Sequence, residues 1–152
     1  MGFSNAVGSE VAAIVATVDP DVLTAATHTS DWVDAGKFES LMAIVMVGTM
    51  QSSSTLNAKL EQATDSGGTG AKDISGSAIT ELTQAGTDSD KQVIINCRAE
   101  ELDTPNGFDF VRLSMTVAAA SSDGAGMILG LNPRYAPASD NDLASVDEIV
   151  TV

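Results

Sequence analysis

The chain has few of the residues that most often carry function. Its 152 residues include seven Lys and Arg, one Cys, one His, one Trp and one Tyr, and aromatics make up 4% of the whole. A formal net charge of −14 excludes the usual route to nucleic acid, which depends on Lys and Arg neutralising phosphates. It excludes a polybasic membrane anchor for the same reason. A single cysteine, Cys97, allows no intramolecular disulfide and no cysteine-based zinc site. The most apolar run, Leu41 to Gly48, is far shorter than the ~20 residues of a membrane helix. No basic segment followed by an apolar stretch opens the chain, so no secretory signal is expected and assembly in a cytoplasm is implied. With so few aromatics, the core must be built from Val, Ile, Leu, Met and Ala.

What the chain does have is alternation. In Ser54–Gln62, Leu56, Ala58 and Leu60 fall on one side, with Asn57, Lys59 and Glu61 on the other. A period of two marks a half-buried strand, because successive Cβ atoms point to opposite faces. Lys91–Glu100 repeats the pattern and puts Cys97 on the apolar side with Val93 and Ile95. A buried, inert thiol is expected there. Phe108–Ala119 alternates again, with Val111, Leu113, Met115 and Val117 inward. Phe38–Met50 reads as a central strand.

Glu10–Val18 reads as a strand ending at the Asp19-Pro20 turn, and Val22–Thr29 as a weaker extended piece. Residues 74–84 fit a short strand or a helical turn equally well. Asn106-Gly107 is a hairpin signal, Ser121–Gly126 a turn, and Met127–Leu131 a short strand. The segment from Asp142 to Val152 is amphipathic and could end as a strand. Short strands separated by Gly, Asp, Ser and Asn turns describe an all-β fold. The expectation is an antiparallel β-sandwich of jelly-roll type, with about eight strands and little helix. Residues 1–9 would form a flexible arm and residues 10–152 a single domain.

Tests for chemistry fail on spacing. From Asp88, positions six and twelve of a calcium loop would be Val93 and Ala99; from Asp140 they would be Ser145 and Thr151. In Gly67–Lys72 the lysine does not follow its glycine directly and Asp73 comes next, which is no phosphate loop. Gly124, Gly126 and Gly130 miss the dinucleotide spacing and read as a turn. His28 would have to serve any Ser-His-Asp or Cys-His site, with Asp31 or Cys97 recruited, yet nothing around it resembles a nucleophile elbow. Glu100 and Glu101 are adjacent and would diverge on a strand. The expectation is therefore no enzyme, no cofactor and no metal. Asn132-Pro133-Arg134-Tyr135 is the one place where an arginine, an aromatic and proline-fixed backbone coincide, and Arg and Tyr are favoured interface anchors.

The run Ser30-Asp31-Trp32-Val33-Asp34-Ala35-Gly36-Lys37-Phe38, continuing to Ala43–Gly48, resembles a segment of small structural proteins of tailed bacteriophages. So does Leu60–Asp65 followed by Gly70-Ala71-Lys72-Asp73-Ile74, with Phe108–Leu113 as the late strand returning along the sheet. Within that group the chain most resembles head decoration (cement) proteins, compact β-domains clustered as trimers outside the capsid. The resemblance implies a non-enzymatic virion protein on the outer capsid surface, assembled in the host cytoplasm. It would bridge neighbouring major capsid protein subunits and associate with itself as a homotrimer, with no nucleic acid or membrane partner. Candidate contact residues are Phe3 and Val7 of the arm, Trp32, Arg134 and Tyr135. The alternatives are a phage tail or neck component, or a carbohydrate-binding sandwich using Trp32, Tyr135 and a few Phe as platforms.

Overall fold

Strand β4 (Phe38–Met50) organises the molecule, because its long apolar run can sit only in the middle of a sheet. The computed structural model describes residues 5–152, so Phe3 lies outside the described residues. Within these, a short helical turn, α1 (Gly8–Val11), precedes β1 (Ala12–Leu23), β2 (Thr27–Thr29) and β3 (Val33–Asp34). After β4 come β5 (Thr55–Ala63), β6 (Lys72–Asp73), β7 (Leu82–Thr83), β8 (Gln92–Arg98), β9 (Phe110–Ala118) and β10 (Ser122–Pro133). Short 3-10 turns at Ala35–Lys37, Ala99–Glu101, Thr104–Asn106 and Ala138–Asn141 complete the order.

The strands form two antiparallel sheets. One has the order β1-β10-β4-β8; the other has β2-β9-β5-β6, with β3 also on β9 and β7 also on β5. The pieces β2 and β3 are one edge strand interrupted at Ser30, whose backbone N–H donates to the Leu113 carbonyl at 2.9 Å. Its hydroxyl accepts the Leu113 N–H at 3.0 Å, so the side chain carries the ladder across the gap. β6 and β7 are likewise one edge: between them Ser77 Oγ accepts from Leu60 N at 3.0 Å and donates to Leu60 O at 3.1 Å. That edge explains why residues 74–84 fit neither a clean helix nor a clean strand. Counted this way there are eight strand positions, ordered 1-8-3-6 and 2-7-4-5. Every consecutive pair except 4 and 5, which are neighbours in one sheet, crosses between the sheets, and this is jelly-roll topology. The fold is an antiparallel jelly-roll sandwich.

The core lies between the sheets. Val45, Leu56, Leu60, Val111, Leu113, Met115 and Ile128 are all fully buried. Cys97 joins them, and burial, with the Glu101 charge adding, pushes its thiol up to about 11. Asn57, Lys59 and Glu61 face outward, as the alternation of β5 requires.

Several expectations need correction. Asp19-Pro20 does not end the first strand. It sits inside β1, in a bulge between Val18 and Asp21 on an edge strand, where a residue without an N–H costs no ladder bond. Asn106-Gly107 makes no hairpin: Gly107, at φ 83°, closes a 3-10 turn in a crossing from β8 in one sheet to β9 in the other. Ser121–Gly126 is not a turn, because β10 runs from Ser122 to Pro133. Asp142–Val152 forms no strand; Leu143 N donates to Ile14 O at 2.9 Å, and Asp142 Oδ1 accepts from Ile14 N at 2.7 Å, which ties the start of the segment to β1.

Candidate interaction surface

β10 shows how the molecule presents itself. Its inward positions carry Gly124, Gly126, Ile128 and Gly130, and its outward ones Ala125, Met127, Leu129 and Leu131. The small residues face the core because it has no room there. A Cβ on Gly126 would lie 2.5 Å from Leu113 Cδ2 and 2.9 Å from Met115 Sδ, and one on Gly130 would lie 2.5 Å from the Phe38 ring. The large apolar side chains of this strand therefore point away from the core.

The register assembles them into a surface. One row across the four-stranded sheet reads Ile14, Leu129, Met42 and Asn96; the next reads Thr17, Met127, Ile44 and Ile94. Ala125, Met46 and Gln92 form a third. Met42, Ile44, Met127 and Leu129 are half-buried against one another. Val22, Met46 and Ile94 are 57%, 48% and 58% exposed, in a position where an isolated soluble sheet would carry polar side chains.

Charge appears only at the two ends of this face. Asp19, Asp21 and Asp123 lie at one end, beside a shallow recess of about 540 Å³ lined by Pro20, Val22, Met46 and Ala125. Arg98 and Arg134 lie at the other, in a recess of about 900 Å³ shared with Glu39, Glu100, Ser40 and Pro133.

The outer face of the six-stranded sheet differs. Lys59 Nζ is 2.6 Å from Asp73 and 3.5 Å from Glu61, and Glu61 takes Arg112 Nε at 2.7 Å. The hydrogen bond to Asp73 raises the Lys59 pKa above its usual value. Asn57 Nδ2 donates to Glu81 at 2.6 Å, and Thr27 and Thr116 hydroxyls pair at 2.9 Å.

The sequence-derived contact residues divide between these regions. Val7 caps α1, its N–H donating to Glu10 at 2.8 Å, and α1 packs against the Ala138–Asn141 turn. Arg134, whose N–H donates to Lys37 O at 2.9 Å, and Tyr135, 86% exposed, lie at the same end of the four-stranded sheet. Trp32 is elsewhere. It is half-buried on the six-stranded sheet, with the Arg112 guanidinium 4.6 Å from its ring centroid. Gly68, at φ 83°, sits so close that a Cβ there would be 2.6 Å from its Nε1. The sequence reading missed Met42, Ile44, Met46, Ile94, Met127 and Leu129. The signal was the uninterrupted run Leu41–Gly48, which gives one strand apolar side chains on both faces.

The residues tested for chemistry serve the backbone or stand apart. Asp88 Oδ2 accepts from Thr83 N at 2.9 Å, and Glu101 Oε2 accepts from Arg98 N at 2.8 Å. His28, on β2, has Nε2 3.0 Å from the Thr24 carbonyl, and Cys97 belongs to the other sheet. Asp65 Oδ1 accepts from Gly67 N at 2.9 Å and Thr69 N at 3.1 Å. Among the described residues no group of three or more His, Cys, Asp and Glu side chains is placed to hold a metal ion. Among them, too, no helix is long and apolar enough to cross a membrane.

No protein-family model and no curated protein sequence matches the chain. Among solved structures it is similar to a chain of the broad bean stain virus structure, at 11% identity and a TM-score of 0.45, over 90% of this chain and 92% of that one. It is also similar to TmCBM61, solved in complex with β-1,4-galactotriose, at 10% identity and a TM-score of 0.32, over 72% of this chain and 66% of that one. The sheet order above, rather than these distant likenesses, defines the fold: a jelly-roll β-sandwich with one polar and one apolar outer face.

Proposed function

We propose that this protein is a non-enzymatic virion structural protein that decorates a phage capsid and stabilises it by bridging neighbouring major capsid protein subunits. The observation that carries the reading is the apolar outer face of the four-stranded sheet, bounded by charge only at its ends. Apolar area of this kind is stabilised by contact with other protein. The resemblance of residues 30–48, 60–74 and 108–113 to phage structural proteins supplies the setting, the outside of a particle assembled in the host cytoplasm. Many copies, each making modest contacts, would hold a shell through multivalency. The net charge of −14 suits a part present at high local concentration, since like-charged copies stay soluble.

A glycan-binding role is less well supported, because Trp32 is not free to act as a platform. Arg112 stands over its ring and Gly68 closes on its Nε1 edge. Mass spectrometry of purified virions, with copy number scaled to the major capsid protein, tests the proposal. A ratio near one is expected. A handful of copies per particle would move the protein to the tail or neck, and its absence from particles would end the reading.

A further inference from the structure

We infer that the occupant of the apolar sheet face is a second copy of this chain, packed face to face about a twofold axis that runs across the strands. The inference rests on the reading above only in taking this face as an interface; it assigns the face to self-association, which leaves contacts with the shell to the rest of the surface, and it holds or fails on the isolated protein.

Area is the first argument. Strands spaced about 4.8 Å apart, three of them contributing about ten residues each and β8 seven, rising about 3.3 Å per residue, present roughly 600 Å² per copy. Two copies together would bury about 1,200 Å², the lower bound for a specific interface. Two such sheets pack about 10 Å apart through interdigitating side chains, as inside a sandwich, and Met42, Met46 and Met127 adapt readily to such packing.

Charge is the second argument, and it selects the axis. Two chains of net charge −14 repel each other, so a stable pair needs an uncharged centre and matched ends. The rows through Leu129 and Met127 contain no charged residue, and the row through Ala125 meets one only at its β1 edge, in the Asp19-Pro20 bulge. Asp123 follows Ser122 at the start of β10, whereas Pro133 and Arg134 end it, with Arg98 alongside on β8. A twofold axis across the strands stacks β10 on β10 and brings Asp21 and Asp123 of each copy to the end where the second copy carries Arg134, an end kept near neutral by Glu39 and by Glu100, 3.4 Å from Arg98. An axis along the strands would set aspartate against aspartate. Complementary ends fix orientation as well as affinity. Arg134 and Tyr135 then become contact residues, seated against the recess around Val22 and Met46.

Sedimentation of the full chain at tens of micromolar tests this. A particle of twice the 15.5 kDa chain mass is expected. Ile94→Asp, at a site 58% exposed and so tolerant of folding, should give a monomer that still unfolds cooperatively, at a midpoint below that of the wild type and no longer dependent on protein concentration. Asp123→Arg and Arg134→Asp should each weaken the pair roughly tenfold, and the double variant should recover most of that loss. A wild-type monomer or trimer, a dimer indifferent to Ile94→Asp, or a double variant as weak as the sum of its parts would overturn the inference. A dimer from a chain absent from virions would sink the decoration reading and leave this one standing.

Discussion

The outer faces of the two sheets come from the same architecture and do opposite things. On the six-stranded sheet, β5 alternates strictly, and its outward Asn57, Lys59 and Glu61 are tied into hydrogen bonds and ion pairs with Glu81, Asp73 and Arg112. That face is complete in water. On the four-stranded sheet, β4 and β10 turn Met42, Ile44, Met46, Met127 and Leu129 outward, with glycine filling much of the inward side of β10. Within β10 the usual rule for an antiparallel strand, large inside and polar outside, is broken on the outside by apolar residues and on the inside by Gly124, Gly126 and Gly130, with Ile128 the large inward side chain among them. The inward glycines leave room for Phe38, Leu113 and Met115, and the outward apolar side chains are the surface that the proposed partner would cover.

The comparison breaks most readily at β10 and its neighbour Phe38, which is 1% exposed beneath Gly130. Phe38→Ala should cost about 3–5 kcal/mol in chemical denaturation. Gly126→Ala should cost about 1–3 kcal/mol, because the added methyl meets Leu113 and Met115. Met127→Ala, one position along and outward, should cost less than either while weakening self-association. If Gly126→Ala were neutral, the inside-out reading of the strand would be wrong.

A smaller effect sharpens the polar side. Arg112→Ala removes both the 2.7 Å bond to Glu61 and the guanidinium over Trp32, and about 1 kcal/mol of stability should go with them. Lys59→Ala, at a more exposed pair, should cost about 0.5 kcal/mol. Neither should alter the oligomeric state, since both lie on the face that is already satisfied. A change in mass for either would place the interface on the wrong sheet.

The smallest effect expected is in acid. The hydrogen bond from Lys72, followed by that from Asn106, holds the Asp103 carboxyl below the usual carboxylate range. A carboxylate whose folded pKa is depressed contributes stability above its unfolded value of about 3.9, and that contribution is lost as pH falls through the folded value. Thermal unfolding of Asp103→Asn should therefore fall off less steeply than wild type between about pH 5 and 3. Parallel curves would mean that the Lys72 pairing is too well solvated to count.

How much of this was legible in the sequence follows from the same contrast. β5, β8 and β9 were legible because one face is core and the other solvent, which writes a period of two. β4 was legible as a strand from its β-branched run, but the chemistry of its outer face was hidden by the uniformity of that run. From its sequence β10 reads as a turn and a short strand because Gly-Ala-Gly is the ordinary mark of a turn, and only the volumes of Phe38, Leu113 and Met115 across the sandwich demand glycine there. β2, β3, β6 and β7 are too short for any periodicity, and side chains of Ser30 and Ser77 bridge the gaps. Of the candidate contacts, Arg134 and Tyr135 were singled out by residue type and stand at an end of the apolar face. Trp32 was singled out in the same way but serves the opposite sheet. Residue type marks a good anchor without saying whether the chain itself already uses it.

The chain carries its own probe for the central claim. Of its six methionines, Met42, Met46 and Met127 lie on the outer face, while Met50 and Met115 are buried in the core. Oxidative footprinting of the wild-type protein beside Ile94→Asp, both at tens of micromolar, reads coverage of that face directly. The account predicts that Met46 oxidises several-fold more slowly in the wild type than in the variant, with Met50 and Met115 slow in both. Equal, rapid oxidation of Met46 in the two proteins would contradict it.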